Sequence, residues 1–196
     1  MTPNVILMQR AKDSLKGMWG TAAIVTLIYS LILNAISATI AGGLIVGGPL
    51  TLGYVFFIKS LKFDKENASI ERVFDGFKDF SRSLIAYILI AVYVFLWMLL
   101  LIIPGIIMNY AYSMTYFILS EDKEISASDA LKKSKQMMMG NKWKLFCLEL
   151  RFFGWILLCI LTLGIGFLWL QPYMEMARLN FYYDLKGVET DDVMIC

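Results

Sequence analysis

The 196-residue chain is 59% apolar and 17% charged, carries 18 basic against 16 acidic residues, and has no histidine. A soluble domain is about half apolar and a quarter charged, so this balance excludes an ordinary water-soluble domain and predicts an all-α, polytopic integral membrane protein. The missing histidine removes the commonest general base and metal ligand.

An amphipathic helix over 4–17 is the first predicted element: Met8, Ala11, Leu15 and Met18 share a face, away from Arg10, Lys12 and Lys16. The charged start and the length of the apolar block behind it predict no cleaved signal peptide, so the first helix stays in the mature protein. Membrane spans follow at 19–41 and 45–61, divided at "GGLIVGGP", which holds Gly48 and Pro49. A second amphipathic helix over 69–80 places Ile70, Val73, Phe74 and Phe77, with Leu84 beyond it, on one face, opposite Glu71, Arg72, Lys78 and Asp79. The next spans, 84–103 and 105–120, divide at Pro104-Gly105. A third amphipathic helix over 127–139 aligns Ala127, Ala130, Leu131, Ser134 and Met138, with Ser126 as N-cap and Asp129 three residues on, a capping box with aspartate for the usual glutamate. The last spans, 143–163 and 166–185, divide at Gly164 and Gly166, and Gln171-Pro172 predicts an irregular turn inside the sixth. Each apolar block has the length of two crossings of about 20 residues.

The breaks recur about every 60 residues, which suggests one domain, 1–196, built from units near 4–62, 69–121 and 127–186 by triplication; three independent hairpins of similar length remain the alternative. Proline lacks an N–H and glycine enters left-handed backbone, so each break reads as a hairpin tip. A broken transporter helix lining a substrate site, a kink or a re-entrant dip are the other readings. Lysine and arginine gather in Arg10–Lys16, Lys59–Arg82, Lys123–Lys144 and Arg178–Lys186, and the tips carry no charge. The positive-inside rule then predicts six spans with both termini cytoplasmic and the tips outward.

The second helix of each pair carries the polar residues, Thr51 and Tyr54, then Asn109 and Tyr112, then Gln171, Glu175, Arg178 and Asn180, so these helices are expected to form an inner ring. Glu149 and Arg151 stand near the start of the fifth span, and Glu175 and Arg178 are three apart in the sixth. With Asn109, Tyr112 and Gln171 they form the candidate intramembrane polar cluster. It reads as interfacial ion pairs that fix helix depth, as an ion or substrate pathway, or as an acid/base pair. No catalytic constellation, cofactor motif or metal spacing is present. Cys147 and Cys159 lie in an apolar span and Cys196 at the C-terminal end, a pattern of buried thiols and not of a disulfide framework. The basic loops fit anionic lipid head groups at the cytoplasmic face and lack nucleic-acid motifs.

Beyond these patterns, "IPGIIMNYAYSM", "ISASDALKKSKQMM", "GWILLCILTLGIGFLWLQPY" and the closing "FYYDL" resemble the bacterial membrane proteins grouped as domain-of-unknown-function family 975; "RAKDSLKGMWG" and "FDGFKDF" look like its N-terminal markers. The resemblance implies a multi-pass protein of the bacterial cytoplasmic membrane and no settled activity. The family is also distantly similar to the membrane domain attached to some glycerophosphodiester phosphodiesterases, where the chemistry belongs to a separate soluble domain. The expected function is a non-enzymatic scaffold or accessory subunit with a protein partner or a second copy of itself. A small transporter, channel or lipid-moving protein is the alternative.

Overall fold

A computed structural model describes residues 2–37 and 40–187. Cys196 and the C-terminal end of the expected domain lie outside the described residues. The chain forms α1 (Asn4–Leu15), α2 (Trp19–Ser37), α3 (Ile40–Phe63), α4 (Glu71–Phe74), α5 (Phe80–Leu100), α6 (Ile102–Tyr112), α7 (Thr115–Glu121), α8 (Ala127–Met137), α9 (Lys142–Leu150), α10 (Phe153–Leu161) and α11 (Phe167–Lys186). Among the described residues there is no strand. The fold is all-α. These helices divide between two compact units.

The first unit joins residues 1–31, 57–70 and 144–196. It holds α1, most of α2, the end of α3, and α9 to α11. Leu7, Ala11 and Leu15 recur at i, i+4 and are fully buried, so α1 does lay one apolar face down. That face packs along α11. Its partner is thus protein, with Met8 and Met18 only half-buried at its margins. Gly17, at φ +83°, makes the turn by which α1 and α2 meet at 95°. α10 and α11 pair as a hairpin.

The second unit joins residues 32–56 and 71–143. Here α6 folds back on α5, and α8 packs against α5, α6 and α7. Ser126 caps α8 by accepting the Asp129 N–H at 3.2 Å, and its hydroxyl donates to the Asp129 carboxylate at 2.7 Å. Aspartate is one methylene shorter than glutamate, so the reciprocal bond goes to the cap's hydroxyl and not to its backbone. The hydroxyl and Lys132 hold the Asp129 carboxyl below its usual range.

The expected breaks need correction. Pro49 lies inside α3, and Gly48 beside it serves contact: a Cβ there would stand 2.5 Å from the Ser83 carbonyl oxygen. Pro172 lies inside the continuous α11, so no irregular turn forms at Gln171-Pro172. At the second hairpin the helix stops at Leu101, in extended backbone, and Pro104 and Gly105 sit in the first turn of α6. Proline suits that position because first-turn amides have no helical acceptor. A Cβ on Gly105 would meet Met98 at 2.3 Å, so this glycine closes the hairpin. At the third hairpin Gly164 makes the turn at φ +88°, and Gly166 lies against Cys159.

The amphipathic element over 69–80 also differs. It is α4 followed by a 3₁₀ turn, Asp75–Asp79. A Cβ on Gly76 would lie 2.0 Å from the Pro49 carbonyl oxygen, and one on Gly53 would lie 1.7 Å from that of Val73. Val73 and Gly76 therefore form the docked side. Phe74 and Phe77 face outward, 47% and 36% exposed, and the rings of Phe74, Phe77 and Phe80 follow one another in parallel stacks.

The expected spans 105–120 and 143–163 are each broken, at Ser113-Met114 and at Arg151-Phe152. Among the described residues, the run Glu71–Leu99 is long and apolar enough to cross a membrane by itself. Only 11% of its apolar window is buried, the reverse of a soluble core helix. α1 and α2 qualify only as a bent pair.

Candidate functional site

Two features of the first unit bring chemically distinctive groups together. The first is ionic. Arg178, on α11, donates from Nε at 3.0 Å and from Nη2 at 2.6 Å to one oxygen of Glu149, on α9. Its Nη1 donates to Glu175, one turn back on α11, at 2.6 Å. The three side chains are 32%, 23% and 22% exposed, partly desolvated but reached by solvent. The guanidinium fork suits this double engagement because its donors are planar and fixed. Arg151, expected in this cluster, is exposed in the turn after α9. It is two residues from Glu149, and positions i and i+2 do not share a helix face. Asn109 and Tyr112 belong to the other unit, where Asn109 is exposed and Tyr112 stacks on Tyr93 with ring centroids 6.0 Å apart. Gln171 is half-buried on α11.

Toward its C-terminal end α11 makes a second set of polar ties; the sequence reading singled out Asn180 there but none of its partners. Asn180 is buried; its amide donates to the Leu7 carbonyl at 3.3 Å and accepts from Lys62. Lys144 pairs with Asp184 at 2.9 Å, and the Thr2 backbone N–H reaches the same carboxylate at 2.8 Å. Asn4 donates to the Lys144 carbonyl at 3.1 Å. These partners lie up to 182 residues apart, so no local spacing announces them. They fix α1 along α11.

The second feature is a groove of about 370 Å³ lined by Trp19, Trp155, Cys159, Trp169, Leu170 and Tyr173, with Lys12 at its edge and Thr162 and Gly166 at the hairpin turn. The volume falls within the usual range of small-ligand sites, about 300–1,000 Å³. Cys159 and Leu170 form a buried floor, and Trp155 and Trp169 are exposed walls. Edge-on packing of Trp19 and Phe152 on Tyr173, with centroids 6.1 and 5.0 Å apart, holds one end. The sequence carried one sign of this groove, tryptophans at 155 and 169 on either side of the Thr162–Gly166 turn.

That turn is apolar and self-satisfied. Leu161, Leu163 and Ile165 are 80%, 94% and 61% exposed. Gly164 N–H bonds to Cys159 O at 2.9 Å, Thr162 N–H to Leu158 O at 3.1 Å, and Gly166 N–H to the Thr162 hydroxyl at 3.3 Å. The hydroxyl itself donates to Cys159 O at 2.9 Å.

Among known families, the model described as "Protein of unknown function (DUF975)" matches residues 1–104 and 98–189, and the chain belongs to that family. No curated protein and no solved structure matches the chain.

Proposed function

We propose that this member of the DUF975 family is a non-catalytic, multi-pass protein of the bacterial cytoplasmic membrane, an accessory or scaffold subunit. The observation that carries the reading is the outward placement of its apolar side chains. On α5, Val92, Phe95, Leu96, Trp97 and Leu99 are 41–74% exposed, and the α10–α11 hairpin presents Phe153, Trp155, Leu157, Ile160 and Leu161 in the same way. Water penalises such a surface and hydrocarbon does not. The broken pairs α6–α7 and α9–α10 each run about 20 residues, roughly 30 Å of helix, which matches a bilayer's hydrocarbon core. The topology we propose is three hairpins, up to six crossings, with both termini and the basic loops on the cytoplasmic side. Glu149 and Glu175 both engage Arg178, a use that fixes helices in place and supports a structural role. A protein partner or second copy is part of the reading.

Resistance to carbonate extraction tests integration. Cysteines placed at Ile103 and Leu163, 72% and 94% exposed at the two tips, test topology. Neither should react with a membrane-impermeant maleimide added from the cytoplasmic side, and labelling from that side would reverse the assignment. Pull-down from native membranes tests the accessory role, and a solitary protein would count against it.

One observation favours a second reading, a lipid-moving protein: the groove opens between exposed tryptophans on an apolar surface. Lipid scrambling in proteoliposomes separates the two readings, since a scaffold leaves the rate at that of empty liposomes.

A further inference from the structure

We propose that the groove beside α11 is a binding site for one membrane lipid with an anionic phosphate head group, its acyl chain along the tryptophan walls and its phosphate at Lys12. The inference rests on the membrane integration proposed above, takes the head-group layer to lie at the level of Lys12 and Tyr173 with the α10–α11 hairpin reaching into hydrocarbon from there, and holds whether or not the protein moves lipid.

The groove has two chemically different ends. The Asn180–Leu7 bond and the Thr2–Asp184 bond show that α1 runs antiparallel along the C-terminal half of α11. That register places Lys12 toward the middle of α11, and the 6.1 Å contact of Trp19 with Tyr173 lies at the same level. Gly166 is seven residues before Tyr173, about 10 Å farther along the helix. One end thus carries an ammonium and two amphipathic rings, and the other is the apolar hairpin turn. Trp155, Leu158, Cys159, Trp169 and Leu170 line the stretch between. Among the described lining residues Lys12 alone is charged.

This arrangement matches one occupant. A floor of buried side chains between exposed indoles is a slot for a chain, where a flat lipid-facing surface would have no floor. A free phosphate gains nothing from the walls, and a neutral acyl chain gains nothing from the lysine. A choline head group would bring its positive charge to the lysine's end. Tryptophan and tyrosine at the polar end are the residue types that sit at head-group level.

Native mass spectrometry of the full chain, released from nanodiscs containing equal phosphatidylglycerol and phosphatidylcholine, tests the proposal. One lipid per chain should be retained, with about a fivefold preference for phosphatidylglycerol, the preference that one lysine near a membrane surface supplies. Lys12→Gln should abolish the preference and keep the lipid. Leu158→Trp should fill the groove and remove the lipid, whereas Leu163→Trp, at the exposed tip outside it, should change nothing. Inorganic phosphate at high concentration should not displace the lipid. No retained lipid, equal retention of both lipids by the native chain, or undiminished retention in Leu158→Trp would each overturn the proposal. Carbonate extraction of the same preparations reports membrane integration separately, so a failed site and a failed membrane reading give different results.

Discussion

Arg178 grips a single oxygen of Glu149 with two of its nitrogens, at 3.0 and 2.6 Å, across 29 residues of sequence. This contact ties α9 to α11, whereas the Glu175–Arg178 bond lies within one helix. The two pairs should therefore differ in energy. A double-mutant cycle with Glu149→Gln and Arg178→Gln should give a coupling of at least about 1 kcal/mol, and one with Glu175→Gln about 0.3–0.5 kcal/mol, the value of an ordinary helical pair. Arg178→Gln alone leaves two partly desolvated carboxylates close together, so it should cost about 2 kcal/mol, more than the double neutralisation with Glu175→Gln. Unfolding in detergent measures all of these, and additive losses would show that the groups do not interact.

Gly53 and Gly76 carry a second prediction. The atoms that an added Cβ would meet at 1.7 and 2.0 Å are backbone oxygens, which cannot rotate away. Gly53→Ala or Gly76→Ala should cost about 3 kcal/mol or prevent folding. Gly154, in α10, has nothing within 4 Å of such an atom, so Gly154→Ala should be neutral or slightly stabilising. Equal effects at the three positions would remove the close approach of α3 and the Val73–Gly76 segment from the account.

The outward Phe74 and Phe77 rings give a third. Phe74→Ser and Phe77→Ser should leave stability in detergent within about 0.5 kcal/mol, because neither ring fills the core. Val73→Asp, at a position 2% exposed, should destabilise severely. If the phenylalanine variants unfold first, the docked side of this segment has been assigned the wrong way round.

The cap of α8 gives the fourth. Ser126→Ala should cost about 1 kcal/mol, the usual loss for a serine cap. The folded Asp129 carboxyl titrates below its unfolded value, so its contribution is fully present above the unfolded pKa and is lost as pH falls through the folded one. Acid unfolding of wild type and Asp129→Asn should therefore converge below the ordinary carboxylate range and diverge above it.

What the sequence made legible was local. The buried Ala11 and Leu15 of α1 and the Ser126 cap belong to single helices, and the spacing of Glu175 and Arg178 is one helical turn; the predicted face of α1 was off by one position, with Leu7 buried where Met8 was expected. Pro49 and Gly48 were misread because a glycine that turns the chain and a glycine that admits a neighbouring backbone are the same residue. Only the facing segment, here Ser83, separates the two uses. Arg151 was misplaced by its nearness to Glu149 along the chain. The Lys62–Asn180 contact and the groove depend on residues distant in sequence, which no periodicity encodes.

The apolar turn between α10 and α11 bears on how the protein is made. Its amides and its threonine hydroxyl find their partners within the turn or in the last turn of α10. No charged residue lies from Phe152 to Met174, which includes all of α10 and the first part of α11. Carrying a charge to the bilayer centre costs at least about 2.5–3.5 kcal/mol on insertion scales, and this hairpin has none to carry. In the membrane reading proposed above, it enters hydrocarbon tip first from the side of synthesis, and the insertion machinery has only to admit the hairpin laterally, with no polar loop to push through.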